Sequence, residues 1–218
     1  MIVPWSCLSF ELFDTMGITP DQFNEMKKRL GSPKRAAAPV FQTSYQPSTQ
    51  GQHQIVLGID PSLRGTGYGV IRLAKPHPIA LAFGTISCPA GWEHSRCLAK
   101  TAQTLREVIS KTHPTVCAVE GLFYAQNLQT ALIMGEARGA ALVAVAEAGL
   151  EIYEIAPRKV KQAIVGYGAA QKLAVAKMIQ RMLSLSEPPP PDAADALAIA
   201  LAHAQEGNRF GPKQYKRI

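Results

Sequence analysis

This sequence of 218 residues lacks two features that define large classes of protein. It contains no run of about eighteen apolar residues, which argues against a membrane-spanning helix. Its four cysteines, Cys7, Cys88, Cys97 and Cys117, show neither a C-x-x-C pair nor a zinc-binding spacing. We therefore expect no disulfide framework, and we expect Cys117, within an apolar run, to be a buried free thiol in a reducing compartment.

The composition that remains is typical of a soluble domain with an excess of basic residues. Hydrophobic residues make up 47% of the chain and charged residues 18%, which is enough to bury a core without a structural metal. Lys and Arg number 23 against 16 Asp and Glu, which gives a net charge of +7. This balance favours a polyanionic partner, either a nucleic acid or an acidic membrane face.

The first part of the chain differs from the rest. Within residues 1–53, Thr19 and Pro20 are typical of a helix start, and a polar, proline-containing linker follows. This extension is either a small accessory helix with its linker or the product of an upstream start codon. Residues 54–206 are predicted to form the main domain, and residues 207–218 a basic tail.

The main domain shows five apolar strands and five helices. The strands are predicted at 55–60, 67–73, 79–87, 115–120 and 151–155, and the helices at 93–111, 127–148, 157–165, 170–183 and 192–205. Short connections join the first three strands into an antiparallel meander, and helices separate the later strands. The order predicts an α/β fold with a mixed five-stranded sheet, three antiparallel strands and then parallel strands, flanked by helices.

Four acidic residues lie in apolar surroundings. Asp60 ends the first strand and Glu120 ends the fourth, while Asp192 and Asp195 begin the last helix and share one of its faces. Acids at the carboxyl ends of strands point into the crevice where α/β proteins bind ligands. If the first and fourth strands are neighbours and the last helix crosses their ends, the four carboxylates converge.

Each acid alone has an ordinary explanation. Asp192 could cap its helix, and Asp60 could begin a turn. Together they indicate a bound cation, because converging carboxylates repel one another unless a cation or protons neutralise them. Oxygen ligands without Cys or His favour Mg²⁺ or Mn²⁺, and two such ions can activate a water molecule for attack on a phosphodiester.

The stretches that carry these acids resemble, in order, the motifs of the RuvC family of Holliday junction resolvases. They are Ile59-Asp60-Pro61-Ser62 with Gly65-Thr66-Gly67-Tyr68-Gly69, then Val119-Glu120, and last Asp192-Ala193-Ala194-Asp195-Ala196-Leu197-Ala198. Residues 135–139 and 160–166 strengthen the match, which covers about residues 55–204.

The resemblance implies a ribonuclease H-like fold and a homodimer that uses Mg²⁺, two ions per active site, with Mn²⁺ as a substitute. It implies a cytoplasmic endodeoxyribonuclease that nicks two strands of a four-way DNA junction symmetrically in recombination and repair, with RuvA and RuvB as partners. Asp60, Glu120, Asp192 and Asp195 are then the catalytic, metal-binding acids, although some family members carry His at the position of Asp192. Residues 1–53 lie outside the match and inherit nothing.

The resemblance also assigns contacts with DNA. Phe123 matches an aromatic residue that stacks at the junction, although its ring could instead seal the edge of the core. Lys161 and Lys172 match basic residues close to the scissile phosphate, and Arg158 and Lys159 add local positive charge. For each of these four, the alternative is a solvated helix face.

Small residues stand out in two places. Gly135 and Gly139 in the long helix permit close approach, either of a second subunit, as the family implies, or of the sheet. Gly65, Gly67 and Gly69 fit no phosphate-binding loop, and we expect them to serve a tight turn and a close approach of the backbone to DNA.

Two other functions remain open from the sequence. One is a different ribonuclease H-like nuclease that acts on a flap or an RNA–DNA hybrid. The other is a junction-binding protein that does not cut, which the presence of all four acids disfavours.

Overall fold

The computed structural model describes residues 54–121, 127–206 and 215–218, together with Thr19, Asp21, Asn24 and Glu25. The chain divides into two compact units, Met1–Gln42 and Thr43–Ile218. In the first unit Asp21, Asn24 and Glu25 are helical and exposed. The other residues of the predicted helix and the predicted linker up to His53 lie outside the described residues.

The described part of the second unit contains six strands and five helices. The strands are β1 (Ile55–Asp60), β2 (Gly65–Arg72), β3 (Ile79–Ser87), β4 (Val116–Glu120), β5 (Ile152–Ile155) and β6 (Lys216–Arg217). The helices are α1 (His94–Thr112), α2 (Leu128–Glu147), α3 (Pro157–Val165), α4 (Lys172–Met182) and α5 (Pro191–Glu206).

The strands form one mixed sheet in the order β3-β2-β1-β4-β5-β6. The antiparallel meander of β1, β2 and β3 and the parallel pairing of β1, β4 and β5 confirm the predicted architecture. The predicted number of five strands is wrong by one, because Lys216 and Arg217 of the predicted basic tail pair with β5. A two-residue strand is too short to show the alternation by which strands are recognised.

Each face of the sheet carries its own apolar core. Val56, Val116 and Ile155 belong to the cluster that packs with α3, α4 and α5, whereas Leu57 and Val119 belong to the cluster with α1 and α2. Alternate residues of a strand point to opposite faces, so apolar residues at successive positions of β1 and β4 serve both layers. The site described below lies at the edge of the sheet where β1 and β4 end.

Cysteine placement agrees with the prediction. Cys117 is a fully buried free thiol on β4, and Cys88 and Cys97 are buried free thiols as well. Burial raises the pKa of the Cys117 thiol far above its usual range. Such a thiol is a core residue and not a nucleophile.

Helix α5 lies against the sheet because glycines remove the side chains between them. A Cβ atom at Gly58 would collide with the carbonyl oxygen of Ala196, and one at Gly67 would collide with that of Asp192. At Gly69 it would lie 2.7 Å from the side chain of Leu197. The expectation that Gly67 and Gly69 serve a close approach to DNA is therefore wrong, since the backbone that they approach is that of α5.

Helix α2 is long and apolar enough to cross a membrane by length and composition alone. In the structure it packs against α1, and it carries a buried arginine, Arg138, that is paired with Glu154 of β5. These contacts are those of a helix packed in a folded domain. Only part of its surface is buried.

Candidate active site

Asp60 and Glu120 stand side by side at the ends of two neighbouring strands. β1 and β4 pair in parallel with Ile59 opposite Val119, so the next residue of each strand lies at the same edge of the sheet. Both acidic side chains are partly buried. The carboxyl groups of Asp60 and Glu120 are close enough for hydrogen bonding and charge to couple their ionisation, so the two acids that were predicted from strand ends lie together.

Asp195 reaches the same edge from α5. Because α5 lies directly on β1 and β2, the carboxylate of Asp195 is near enough to act on the charges of both Asp60 and Glu120. Lys172, the first residue of α4, donates to Asp195 with 2.7 Å between Nζ and Oδ2. This hydrogen bond, and then the charges of the three acids, raise the pKa of Lys172.

Burial and mutual repulsion control how this cluster ionises. Burial, then the charge of Glu120 and the hydrogen bond to it, then the charge of Asp195, raise the pKa of Asp60 from 3.8 to about 8. Burial also raises the pKa of Glu120, which the hydrogen bond from Asp60 and the charges of Lys172 and Lys161 oppose. At neutral pH the pair therefore shares a proton, which has to leave before both groups can act as charged ligands.

Asp192 lies beside this cluster, on the side of β2. Its backbone packs on Gly67, which is paired with Asp60 across the two strands. Its carboxylate lies next to Gly65, 3.1 Å from the position that a Cβ atom would occupy there. The structure thus gathers three of the four predicted acids at one edge of the sheet and places the fourth next to them.

Two of the predicted basic residues face the carboxylates. Lys172 contacts Asp195 directly, and its side chain is otherwise well exposed. Lys161 lies on α3, partly buried, and is close enough to Glu120 for its charge to favour the ionised carboxylate. Both lysines are therefore at the edge of the sheet where the acids meet.

The other predicted contacts with DNA have different surroundings. Arg158 and Lys159 are exposed in the first turn of α3. The side chain of Arg158 lies over Gly168, where a Cβ atom would collide with it. Phe123 lies outside the described residues, so its stacking role stays a prediction.

Sequence reasoning missed a buried ion pair behind Glu120. Arg138, on α2, is 6% exposed and donates to the backbone carbonyl oxygen of Glu120. Its other terminal nitrogen donates to Oε2 of Glu154 at 2.5 Å. The available signals were a charge among the small residues of α2 and an acid within the apolar strand β5.

The donors at this edge fit a hard divalent cation. The donors that meet are carboxylate oxygens from three elements, with no Cys or His among them. In the described ranges no group of three acidic, His or Cys side chains has donors already arranged to hold a metal ion. Asp60 holds a proton at neutral pH, since its pKa is about 8, and Asp195 pairs with Lys172. A divalent cation would substitute for that proton and for the ammonium group.

The order of the strands and the position of the acids together define the class of protein. A three-stranded meander that continues into parallel strands, with carboxylates gathered where β1 and β4 end, makes the protein a nuclease with the ribonuclease H-like fold. Within that class the chain belongs to the RuvC family, since the family model for crossover junction endodeoxyribonuclease RuvC matches residues 56–203. The predicted family, fold and enzyme class are confirmed.

Individual relatives agree with the family model. The crossover junction endodeoxyribonuclease RuvC of Akkermansia muciniphila is 47% identical over 148 residues, which are 68% of this chain and 89% of the relative. That of Chloroflexus aurantiacus is 42% identical over 159 residues, 71% of this chain and 97% of the relative. The solved structure of Thermus thermophilus RuvC in complex with a Holliday junction substrate matches with a TM-score of 0.66 and 36% identity, over 70% of this chain and 93% of that one.

Proposed function

We propose that this chain resolves four-way DNA junctions by two symmetric nicks, in recombination and DNA repair, with Asp60, Glu120, Asp192 and Asp195 as its catalytic acids. The observation that carries the proposal is the gathering of three acids from β1, β4 and α5 at one edge of the sheet, near enough for their charges to interact. Such a buried, mutually repelling cluster is costly to the fold, and a cation that the reaction needs accounts for it.

The acids are proposed to hold Mg²⁺, two ions per site, with Mn²⁺ as a substitute. When bound, the ions activate water and stabilise the charge that develops on the phosphodiester. The chain supplies the ionised oxygens, and for this Asp60 releases the proton that it shares with Glu120.

The lysines are proposed to hold the scissile phosphate beside these acids. Lys172, which pairs with Asp195 at this edge, would donate to the phosphate from α4, and Lys161 would donate from α3. Arg158 and Lys159 extend the positive surface along the DNA backbone, which positions the duplex without reading its sequence. Phe123 is proposed to stack on a base at the junction.

The second subunit is proposed to bind along α2. Leu128, Leu132, Gly135, Gly139 and Val143 lie on one face of this helix at helical spacing. The three apolar side chains are exposed by 77%, 60% and 52%, and a Cβ atom at either glycine would meet nothing within 4 Å. The face is therefore open to another helix, which favours the homodimer over the alternative that these glycines pack on the sheet.

RuvA and RuvB, as partners in branch migration, and a cytoplasmic location complete the proposal on the basis of family membership. These partners and this location are inferred from the task of resolving chromosomal junctions. No contact among the described residues bears on them.

The test is cleavage of labelled synthetic DNA by Asp60→Asn and Glu120→Gln variants. Both should lose Mg²⁺-dependent nicking of a four-way junction by at least about 100-fold and should still bind it in EDTA, because the charge of a ligand is removed while the lysines remain. Glu107→Gln, at an exposed position of α1, is the matched control and should cut normally.

The choice of substrates separates the alternatives. A four-way junction, a flap, an RNA–DNA hybrid and a plain duplex are compared, each with Mg²⁺ and with EDTA. Preferential cutting of the flap or the hybrid would favour a different nuclease, and junction binding without any cutting would favour a non-catalytic protein.

A further inference from the structure

Arg138 and Glu154 form a buried clamp at the end of β4. We propose that this clamp is the positioning device of Glu120 and thereby sets the affinity of the site for divalent metal. The inference rests on the proposed function, in which Glu120 is a metal ligand.

The clamp joins three elements through one guanidinium group. Arg138 comes from α2, Glu120 ends β4 and Glu154 lies on β5. Arg138 is almost entirely buried and donates to the carbonyl oxygen of Glu120 and to the carboxylate of Glu154. A buried charge is costly unless it is paired, so this geometry is held by more than a single hydrogen bond.

Gly121, which follows Glu120, leaves space for the clamp. Gly121 donates its backbone N–H to the carbonyl oxygen of Ile155 at 2.9 Å, which extends the pairing of β4 with β5 by one residue. A Cβ atom at Gly121 would lie 3.3 Å from Cγ of Glu154. The absence of a side chain at Gly121 therefore leaves room for Glu154 to reach Arg138.

These contacts hold both polar groups of the peptide unit that follows the Glu120 Cα atom. The carbonyl of Glu120 is held by Arg138 and the following N–H by β5, so the strand end cannot rotate freely. The direction of the Glu120 side chain towards Asp60 depends on that backbone. Groups that orient a ligand in this way commonly change metal affinity by about 10–100-fold when they are altered.

Arginine suits this position because of its shape. Its planar fork can donate to two acceptors in fixed directions, whereas a lysine ammonium is a single point charge on a flexible stem. Arg138→Lys keeps the charge opposite Glu154 but cannot reproduce both hydrogen bonds.

The chain offers a matched control in a second Arg–Glu pair, between α1 and α2. Arg106 of α1 and Glu147 of α2 form a second Arg–Glu pair, with 2.6 Å between Nε and Oε2, but both side chains are substantially exposed. Glu147 is the last residue of α2, far from the helix start that follows β4. Arg106→Lys therefore tests the loss of an arginine fork without touching the site.

The experiment measures Mn²⁺ binding to the protein alone by electron paramagnetic resonance, together with the Mn²⁺ concentration for half-maximal junction cleavage. Arg138→Lys should weaken Mn²⁺ binding by about 10-fold, should raise the half-maximal concentration in parallel, and should recover most of its rate at saturating Mn²⁺. Junction binding in EDTA should stay unchanged. Arg106→Lys should match the wild type in every measurement.

Glu154→Gln is the second variant, because it keeps an acceptor for Arg138 and serves if Arg138→Lys does not fold. It should weaken Mn²⁺ binding by a few-fold. A folded variant of either kind that is less stable but binds Mn²⁺ as the wild type does would overturn the inference and reduce the clamp to a structural role. Failure of the proposed function is distinct: there Glu120→Gln itself would leave Mn²⁺ binding unchanged.

Discussion

Asp60 carries much of the electrostatic cost of the site. Its side chain is partly buried, hydrogen-bonded to Glu120 and repelled by Asp195, and its pKa is raised to about 8. An aspartate in water is ionised well below neutral pH, so the folded protein retains a proton here that the unfolded chain has lost. The stability of the protein in the absence of divalent metal should therefore depend on pH.

The direction of this dependence follows from proton linkage. Between pH 3.8 and about 8 the folded state binds more protons at Asp60 than the unfolded state does, so the free energy of unfolding in EDTA should fall as the pH rises through this window. Asp60→Asn should flatten the slope and be more stable than the wild type at pH 8, by about 1–3 kcal/mol. Urea unfolding at pH 5 and pH 8 measures both effects.

The exposed Glu107→Gln change should keep the slope of the wild type, since that side chain lies outside the cluster. An Asp60→Asn protein whose stability falls with pH as steeply as the wild type would show that other groups cause the dependence.

At the scale of residues, the sequence predicts the position of those acids that lie at the end of a strand or the start of a helix. Asp60 and Glu120 were predicted to meet because parallel neighbours end at one edge, and they do. Asp192 and Asp195 were placed on one helix face by spacing, but the first turn of α5 carries the carboxylate of Asp192 over β2. The role of Arg138 was missed because the sequence of a helix does not show which strand a long side chain on that helix will contact.

At the scale of elements, the packing of α5 on β1 and β2 makes the site possible. The helix supplies Asp195, and it can approach only because Gly58 and Gly67 present no side chains to it. Close packing leaves little room for relaxation, so the sheet and the helix have to separate if a side chain is inserted.

We expect Gly58→Ala to be destabilising and nearly inactive. The added methyl group would collide with the backbone of α5 at Ala196, which should lower the free energy of unfolding by about 1–3 kcal/mol and move Asp195 away from Asp60. Thermal unfolding and junction cleavage under the same buffer conditions measure the two effects.

Gly91→Ala is the matched change, because a Cβ atom there would meet nothing within 4 Å. It should leave both stability and cleavage near wild-type values. A fully stable and active Gly58→Ala protein would contradict the role given to this contact.

The elements themselves were largely predictable, whereas their contacts were not. Apolar runs and breaker residues located the first five strands and the five helices, because each is long enough to show its period. Gly67 and Gly69 were predicted to approach DNA. A glycine in a sequence can indicate that another group packs closely against the backbone, but it does not show whether that group is DNA or a helix of the same chain. The short strand β6 depends on pairing with Tyr153 and Glu154, distant residues that its own sequence does not indicate.

At the scale of the whole molecule, the proposed homodimer would bring two active sites together. A four-way junction has two symmetric strands to cut, so two active sites related by a two-fold axis match it. The stripe of Leu128, Leu132, Gly135, Gly139 and Val143 is the surface on which that pairing is proposed to depend.

Leu132→Glu should convert the dimer to a monomer, because it places a charge in the middle of the stripe. Sedimentation equilibrium should show half the mass of the wild type, and a cruciform plasmid should be nicked on one strand rather than linearised. Ile79→Glu, which changes an exposed apolar residue of β3, should stay dimeric. An unchanged mass for Leu132→Glu would place the interface elsewhere.

The clustered acids lie far apart along the chain, and α5 provides the last of them. While the protein is being synthesised, a ribosome-bound chain that has completed β1 and β4 still lacks Asp195 and the helix that covers those strands. Such a nascent chain has no means of assembling the carboxylate cluster. Nuclease activity that needs this cluster therefore cannot arise before α5 has been synthesised.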